Sequence, residues 1–252
     1  MKPLFAFSLF SLSTVMTALS AQAAEVQVAV AANFTAPLQE IAAQFAKDTG
    51  HHVVPAFGAT GQLYAQISHG APFELLLSAD SSTPSKLASE GLAAKDGQYT
   101  YAIGKLVLWS ADPKLLDGTD AVLKANQFLH LAVANAKAAP YGLAAIQVLQ
   151  KLGLSNAVQP KLVEGQSISQ TLQFVSSGSA ELGFVALSQV YKGGKLTEGS
   201  AWEVPQALHE PIKQDVLLLK KAEGNPAAQA FFAYLRGPQA QQIISAYGYQ
   251  LP

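Results

Sequence analysis

Between positions 25 and 219 the apolar residues keep changing period, from two to 3.6 and back, and few architectures accommodate that alternation. Val26, Val28 and Val30 alternate with their neighbours as in a strand. After Asn33-Phe34-Thr35-Ala36-Pro37, the positions Leu38, Ile41, Ala42 and Phe45 form the stripe of a helix, closed by Thr49-Gly50. Residues 52–57 predict a second strand, Gly58-Ala59-Thr60-Gly61 a loop, and Leu63 and Ile67 a second helix. Leu75-Leu76-Leu77 is the continuous apolar run of a strand covered on both faces, and 84–90 predicts another helix. The pattern restarts at Lys105, with strands over 106–109 and 128–134. A helix opened by Ala139-Pro140-Tyr141 follows, and Ile168, Thr171, Leu172 and Val175 make another helical stripe. Strands are expected over 182–187 and 216–219. The tail differs: Asn225-Pro226 and Gly237-Pro238 each start a helix, and no strand lies between them. Two such helices must pack on something built earlier in the chain. Strands alternating with helices imply an α/β protein, its mostly parallel sheets flanked by helices.

The N-terminus predicts the compartment. Met1-Lys2, an apolar run over 4–19 and the small-x-small triplet Ala21-Gln22-Ala23 form a secretory signal, expected to be cleaved after Ala23. The remaining residues, 24–252, exceed the ~100–150 of a usual single core and favour two domains. The chain has no cysteine, which excludes disulfides, thiolate metal sites, cysteine nucleophiles and a lipid anchor. An exported chain without such an anchor is expected to be free in the periplasm. Charged residues make up 13% of the chain, against about 25% in average domains, and the net charge is −1. Nucleic-acid and anionic-membrane binding are therefore not expected.

Four strand-to-helix junctions are comparable: Ala32-Asn33-Phe34-Thr35, Ala59-Thr60-Gly61, Ala139-Pro140-Tyr141-Gly142 and Gln166-Ser167-Ile168-Ser169. All hold small, hydroxyl or amide residues, and Lys137 is the one nearby cation. Helix starts offer unpaired backbone N–H groups and roughly half a positive charge, so converging starts make an anion site without formal charge. Each junction taken alone also reads as an ordinary helix cap. Enzyme readings have less support. His51 and His52 are adjacent on a strand and point to opposite faces, and His69, His130 and His209 have no metal-ligand spacing. No nucleophile elbow, Walker or dinucleotide pattern occurs. Ser78-Ala79-Asp80 could belong to a secreted hydrolase only if a histidine completed it.

Ala31-Ala32-Asn33-Phe34-Thr35, the run Gly70-Ala71-Pro72-Phe73-Glu74-Leu75-Leu76-Leu77-Ser78-Ala79-Asp80, and Leu235-Arg236-Gly237-Pro238-Gln239-Ala240 resemble the periplasmic molybdate-binding proteins of ABC transporters. The likeness extends over the whole of 24–252. It implies a two-lobed periplasmic-binding-protein fold of type II, each lobe a mixed, mostly parallel sheet flanked by helices. Lobe 1 would comprise 24–104 plus 220–252 and lobe 2 105–219, the chain crossing at about 101–105 and returning after about 219. By the same resemblance the anion is held between the lobes at Asn33, Thr60, Tyr141 and the backbone N–H of Ile168. A fifth family position falls on Ala186, which cannot supply the tyrosine some members use there; Tyr141 could supply that hydroxyl instead. The expected ligand is molybdate or tungstate. No catalytic residue, cofactor or resident metal is implied. The implied protein is a monomer that serves an ABC transporter permease. Sulfate or phosphate on the same fold is the alternative, and Glu164, near the fourth junction, is the residue that could favour a protonated anion.

Overall fold

The structure, a computed structural model, describes residues 23–252; the expected signal segment over 1–22 lies outside the described residues. In chain order the first half comprises β1 (Glu25–Ala31), α1 (Thr35–Thr49), β2 (His52–Gly58), α2 (Thr60–Ser68), β3 (Leu75–Leu77), α3 (Ser82–Ser89) and β4 (Ala93–Gly104). Then come β5 (Leu106–Ser110), α4 (Ala121–Ala125), β6 (Leu131–Ala134), α5 (Pro140–Lys151), α6 (Ser155–Val158), β7 (Leu162–Gly165), α7 (Ile168–Ser176), β8 (Leu182–Ala186) and α8 (Leu187–Val190). A hairpin of β9 (Tyr191–Lys192) and β10 (Lys195–Leu196) leads to β11 (Ser200–Glu203), β12 (Ile212–Leu219), α9 (Pro226–Tyr234) and α10 (Pro238–Ala246).

The strands form two five-stranded sheets, ordered β2-β1-β3-β12-β4 and β11-β5-β8-β6-β7, one in each lobe. Both are mixed. β1 is parallel to β2 and β3, and β6 to β7 and β8. β12 is antiparallel to β3 and β4, and β5 to β8 and β11. The parallel share is therefore smaller than strand–helix alternation implies, because the strands flanking the two crossings between lobes, β4, β5, β11 and β12, all pair antiparallel with their neighbours.

One expected boundary changes. The resemblance puts the strand ending at Leu219 in lobe 2, but β12 inserts between β3 and β4 in the first sheet. Its continuous apolar end, Val216-Leu217-Leu218-Leu219, is buried on both faces, which only a central strand satisfies. The return crossing therefore lies in the segment between β11 and β12, before Ile212 rather than after Leu219. The outward crossing is the single residue Lys105 between β4 and β5.

Each sheet is covered on both faces. In lobe 1, Val26, Val28 and Val30 pack on one side with Phe34, Leu38, Ile41 and Phe45 of the first turn and helix, and with Phe231 and Ile244 of the tail. Leu63, Ile67, Leu76 and Leu87 fill the other side. At about 1.5–3 kcal/mol for each large apolar side chain removed from water, these faces explain why a tail without strands docks here. Glu74 of the Gly-Ala-Pro-x-Glu-Leu run ties that tail down. Its Oε2 accepts from Gln27 N at 2.9 Å and its Oε1 from Asn225 Nδ2 at 2.7 Å, while Asn225 Oδ1 caps α9 by accepting from Ala227 N at 2.9 Å. Arg236 lies 3.5 Å over the Tyr99 ring and closes the other end of α9.

Candidate functional site

In each lobe two neighbouring parallel strands end toward the other lobe. β1 and β2 run out at Ala31 and Gly58, β6 and β7 at Ala134 and Gly165. A helix or helical turn starts within six residues of each, and open sheets offer ligand sites in this crevice at the strand ends. The four starts enclose a small cavity. Asn33, Thr60, Tyr141 and Ile168, the four residues selected from the sequence, all line it. Around them Ala32, Ala59, Ala79 and Ala139 keep the walls short, and no charged side chain is among the lining residues. A wider hollow opens beside it over Leu143 and Gln147, and it differs in carrying the charged side chains Asp80, Glu210 and Lys213.

Thr60 is the first residue of α2 and is buried. Its Oγ1 accepts from Ala79 N at 3.2 Å, which leaves the hydroxyl proton to donate. Tyr141 follows Pro140 at the start of α5. Its hydroxyl stands against Gly104, where a Cβ would collide with it. Burial, with Tyr249 and Tyr101 nearby, raises its pKa well above 10, so it remains a donor across physiological pH. Ile168 opens α7, whose N-cap Ser167 accepts from Gln170 N at 3.3 Å. First-turn N–H groups have no acceptor inside their own helix. Among the described residues those of Thr60, Tyr141 and Ile168 bond to no carbonyl outside it either.

Asn33 sits in the helical turn Ala32–Phe34 and is held from all sides. Its Nδ2 donates to Gln214 Oε1 and to the Tyr249 hydroxyl, each at 2.8 Å. Its carbonyl accepts from Ser188 Oγ at 2.8 Å and lies 3.1 Å from the Tyr249 hydroxyl. Gln214 Nε2 donates to Ile212 O at 3.2 Å, which turns its Oε1 toward Asn33 and sets the orientation of both amides. Gln214, Tyr249 and Ser188 were not selected from the sequence. They lie 181, 216 and 155 residues from Asn33, and no local pattern marks them.

The lobes meet around the cavity. Gly61 N donates to Ala138 O at 2.9 Å, Ser169 Oγ reaches Ala32 O at 3.4 Å, and Ser188 Oγ bonds Asn33 as above. Farther out, Lys192 Nζ lies 2.7 Å from Glu40 Oε2, linking the β9–β10 hairpin of lobe 2 to α1. The hydrogen bond from Lys192 lowers the pKa of Glu40.

Other residues weighed in the sequence lie elsewhere. Glu164 is exposed and accepts from Asn135 Nδ2 at 2.6 Å; it does not line the cavity. Lys137 is exposed at a hollow on the cleft rim that Asp80 shares. Ala186 is buried before α8, its N–H bonded to Gln189 Oε1 at 3.0 Å, and is not among the lining residues. Ser78-Ala79-Asp80 has a structural explanation: Asp80 accepts from Thr83 N at 2.8 Å and Thr83 Oγ1 at 3.1 Å, holding the start of α3. His51, His69 and His209 each bond a backbone group through Nδ1.

Residues 26–250 match the model of a family described as bacterial extracellular solute-binding protein. The molybdate-binding protein ModA of Azotobacter vinelandii is 61% identical over 249 residues, 96% of this chain and 99% of that protein. The molybdate-binding protein ModA of Rhodobacter capsulatus is 54% identical over 232 residues, 92% of this chain and 90% of its own length. Among solved structures, the periplasmic molybdate-binding protein of Azotobacter vinelandii superimposes with a TM-score of 0.87 at 44% identity, covering 90% of this chain and 99% of that one.

Proposed function

The chain belongs to the bacterial extracellular solute-binding proteins, and from that membership we propose that it captures molybdate between its lobes for delivery to an ABC permease. The observation that carries this reading is the cavity itself: small, uncharged and faced by four helix starts. Thr60 donates its hydroxyl, Tyr141 its phenol, and the first-turn N–H groups of α2, α5 and α7 add backbone donors. Asn33 offers its N–H, because both hydrogens of its side-chain amide are already committed to Gln214 and Tyr249. Every one of these groups donates, which suits an anion with no proton of its own. Monohydrogen phosphate must place a proton, and no carboxylate among the lining side chains stands ready to take it. Sulfate is smaller and would reach fewer donors at once. Tungstate presents the same charge and nearly the same size, so it binds comparably.

Closure is the capture step. Each lobe brings two helix starts, and an anion that bridges them favours the closed arrangement by its preference for closed over open. The permease would recognise that loaded, closed form. The protein acts as a monomeric binding protein in the periplasm after cleavage behind Ala23. Thermal unfolding of the purified mature protein with molybdate, tungstate, sulfate and phosphate tests the reading. A ligand present at a thousandfold its Kd adds about 4 kcal/mol of stability. Molybdate and tungstate are expected to raise the midpoint strongly. A shift with sulfate or phosphate but none with molybdate overturns it.

A further inference from the structure

The hydroxyl of Tyr249 stands where three parts of the molecule meet: the Asn33 turn, the tail and α8 of the other lobe. Tyr249 lies in the tail beyond α10, after a turn at Gly248 with φ of 83°. Gln250 then pairs with Ile103 of β4 through bonds of 2.8 and 3.0 Å in both directions. This fixes the ring in the floor of lobe 1, edge-on to Phe34 at 5.5 Å between centroids. From there the hydroxyl accepts from Asn33 Nδ2 at 2.8 Å and lies 3.0 Å from Ser188 Oγ. Ser188 belongs to α8 of the other lobe and itself donates to Asn33 O at 2.8 Å.

Counting protons shows what the hydroxyl does. Ser188 gives its single hydrogen to the Asn33 carbonyl, so its remaining lone pairs can accept from Tyr249. Asn33 gives one amide hydrogen to Tyr249 and the other to Gln214. The result is a closed ring of three residues, Asn33–Tyr249–Ser188, two from lobe 1 and one from lobe 2, with every donor used. Opening the lobes removes Ser188 and breaks the ring.

We infer that Tyr249 is a positioning residue for anion capture: its hydroxyl sets the Asn33 turn facing the cavity and ties that setting to closure through Ser188. It does not line the cavity and acts through the residues its hydroxyl touches, Asn33, Ser188 and Tyr141. Burial lifts its pKa to about 12, so the hydroxyl keeps its proton wherever the protein functions. This inference rests on the reading of the cavity as an oxyanion site, though not on which oxyanion occupies it.

The test is Tyr249→Phe, which keeps the ring against Phe34 and removes only the oxygen. Calorimetric titration uses whichever of molybdate, tungstate, sulfate and phosphate the unaltered protein binds best. A wrong choice of molybdate therefore leaves this test intact, and binding of none of them overturns both readings. The expected result is a tenfold or greater rise in Kd, carried mainly by faster dissociation, with a smaller fall in the unfolding midpoint of the ligand-free protein than of the ligand-bound one, since Asn33 Nδ2 loses one acceptor in either state. Ser188→Ala alone should weaken binding similarly. The double variant should be little worse than either single one, because both changes break the same ring. Unchanged affinity in Tyr249→Phe overturns the inference. So does a fall in the ligand-free midpoint as large as the fall in the ligand-bound one, which marks a merely structural tyrosine. Additive losses in the double variant also overturn it.

Discussion

Thr60 allows the site to be dissected with changes of one or two atoms. Its Oγ1 has two roles in the structure: it accepts from Ala79 N at 3.2 Å, and its proton is available to the cavity. Thr60→Ala removes both. A hydrogen bond to an ionised partner is worth about 1.5–3 kcal/mol, and each 1.4 kcal/mol is tenfold in Kd. Affinity should therefore fall by roughly ten- to a hundredfold. The Ala79 N–H is left without its acceptor in a buried place, which costs about 1 kcal/mol or less, because a 3.2 Å bond is at the long end of its range. Thr60→Ser keeps the hydroxyl and should bind within a few-fold of the unaltered protein. Thr60→Val keeps the volume and should bind as poorly as Thr60→Ala, which separates a lost donor from a collapsed wall. Titration calorimetry gives the affinities and urea unfolding of the ligand-free protein the stabilities. If Thr60→Ala and Thr60→Val lose stability yet bind as tightly as the parent, the hydroxyl only braces Ala79 and the assignment of Thr60 to the site is wrong.

Gly104→Ala should harm binding from behind the site: its methyl would land on the Tyr141 hydroxyl and 3.0 Å from Cζ, forcing the ring to shift. A loss of about 1–3 kcal/mol of stability is expected from such overpacking, and Tyr141→Phe in the same chain should recover part of that stability without recovering affinity; a Gly104→Ala protein that binds normally refutes the placement of Tyr141. Oxyanion affinity should stay flat between about pH 6 and 9, since hydroxyls and backbone N–H groups do not titrate there, and a step near pH 6.5 in calorimetry would implicate a histidine instead. Stability, by contrast, should decline at high pH. The buried hydroxyls of Tyr99 and Tyr249 have folded-state pKa values pushed up to about 12 by burial, above the ~10 of an unfolded chain, so the stability present below pH 10 is lost as pH rises toward 12; urea midpoints that do not fall over that window contradict the burial. Lys192→Ala should weaken binding by less than about fivefold, because the Glu40 pair is half-exposed and such pairs contribute about 0–1 kcal/mol; the effect should vanish at high salt, and a salt-independent loss would refute a purely ionic link between the lobes.

What could be read from the chain alone was whatever depends on neighbours in sequence. The valines of β1, the stripe of α1, the leucines of β3 and the proline-led starts of the two tail helices each state their structure within a dozen residues. The four strand-to-helix junctions of the proposed site follow the same rule, since a helix start is a local event and its N–H groups are free whatever packs behind them. Elements whose neighbours are distant were misread or missed. β4 escapes notice because Lys95-Asp96-Gly97 interrupts its alternation, with Asp96 at φ of 54°; it exists because β12 pairs along it. β12 reads as the end of the second half of the chain, yet its place is decided by ladders to β3 and β4, more than a hundred residues earlier. The same division runs through the site. The junctions that hold Thr60, Tyr141 and Ile168 can be picked out from the pattern, while the resemblance names the residues themselves. The groups that hold Asn33 in place, Gln214, Tyr249 and Ser188, come from a central strand, the tail and the opposite lobe. None belongs to a motif, because nothing in their own surroundings in sequence refers to Asn33. Donor chemistry of this kind is written locally, whereas the geometry that makes donors converge is a property of the closed fold. A change at Tyr249 is therefore the more discriminating probe of that geometry, and a change at Thr60 the more discriminating probe of the chemistry.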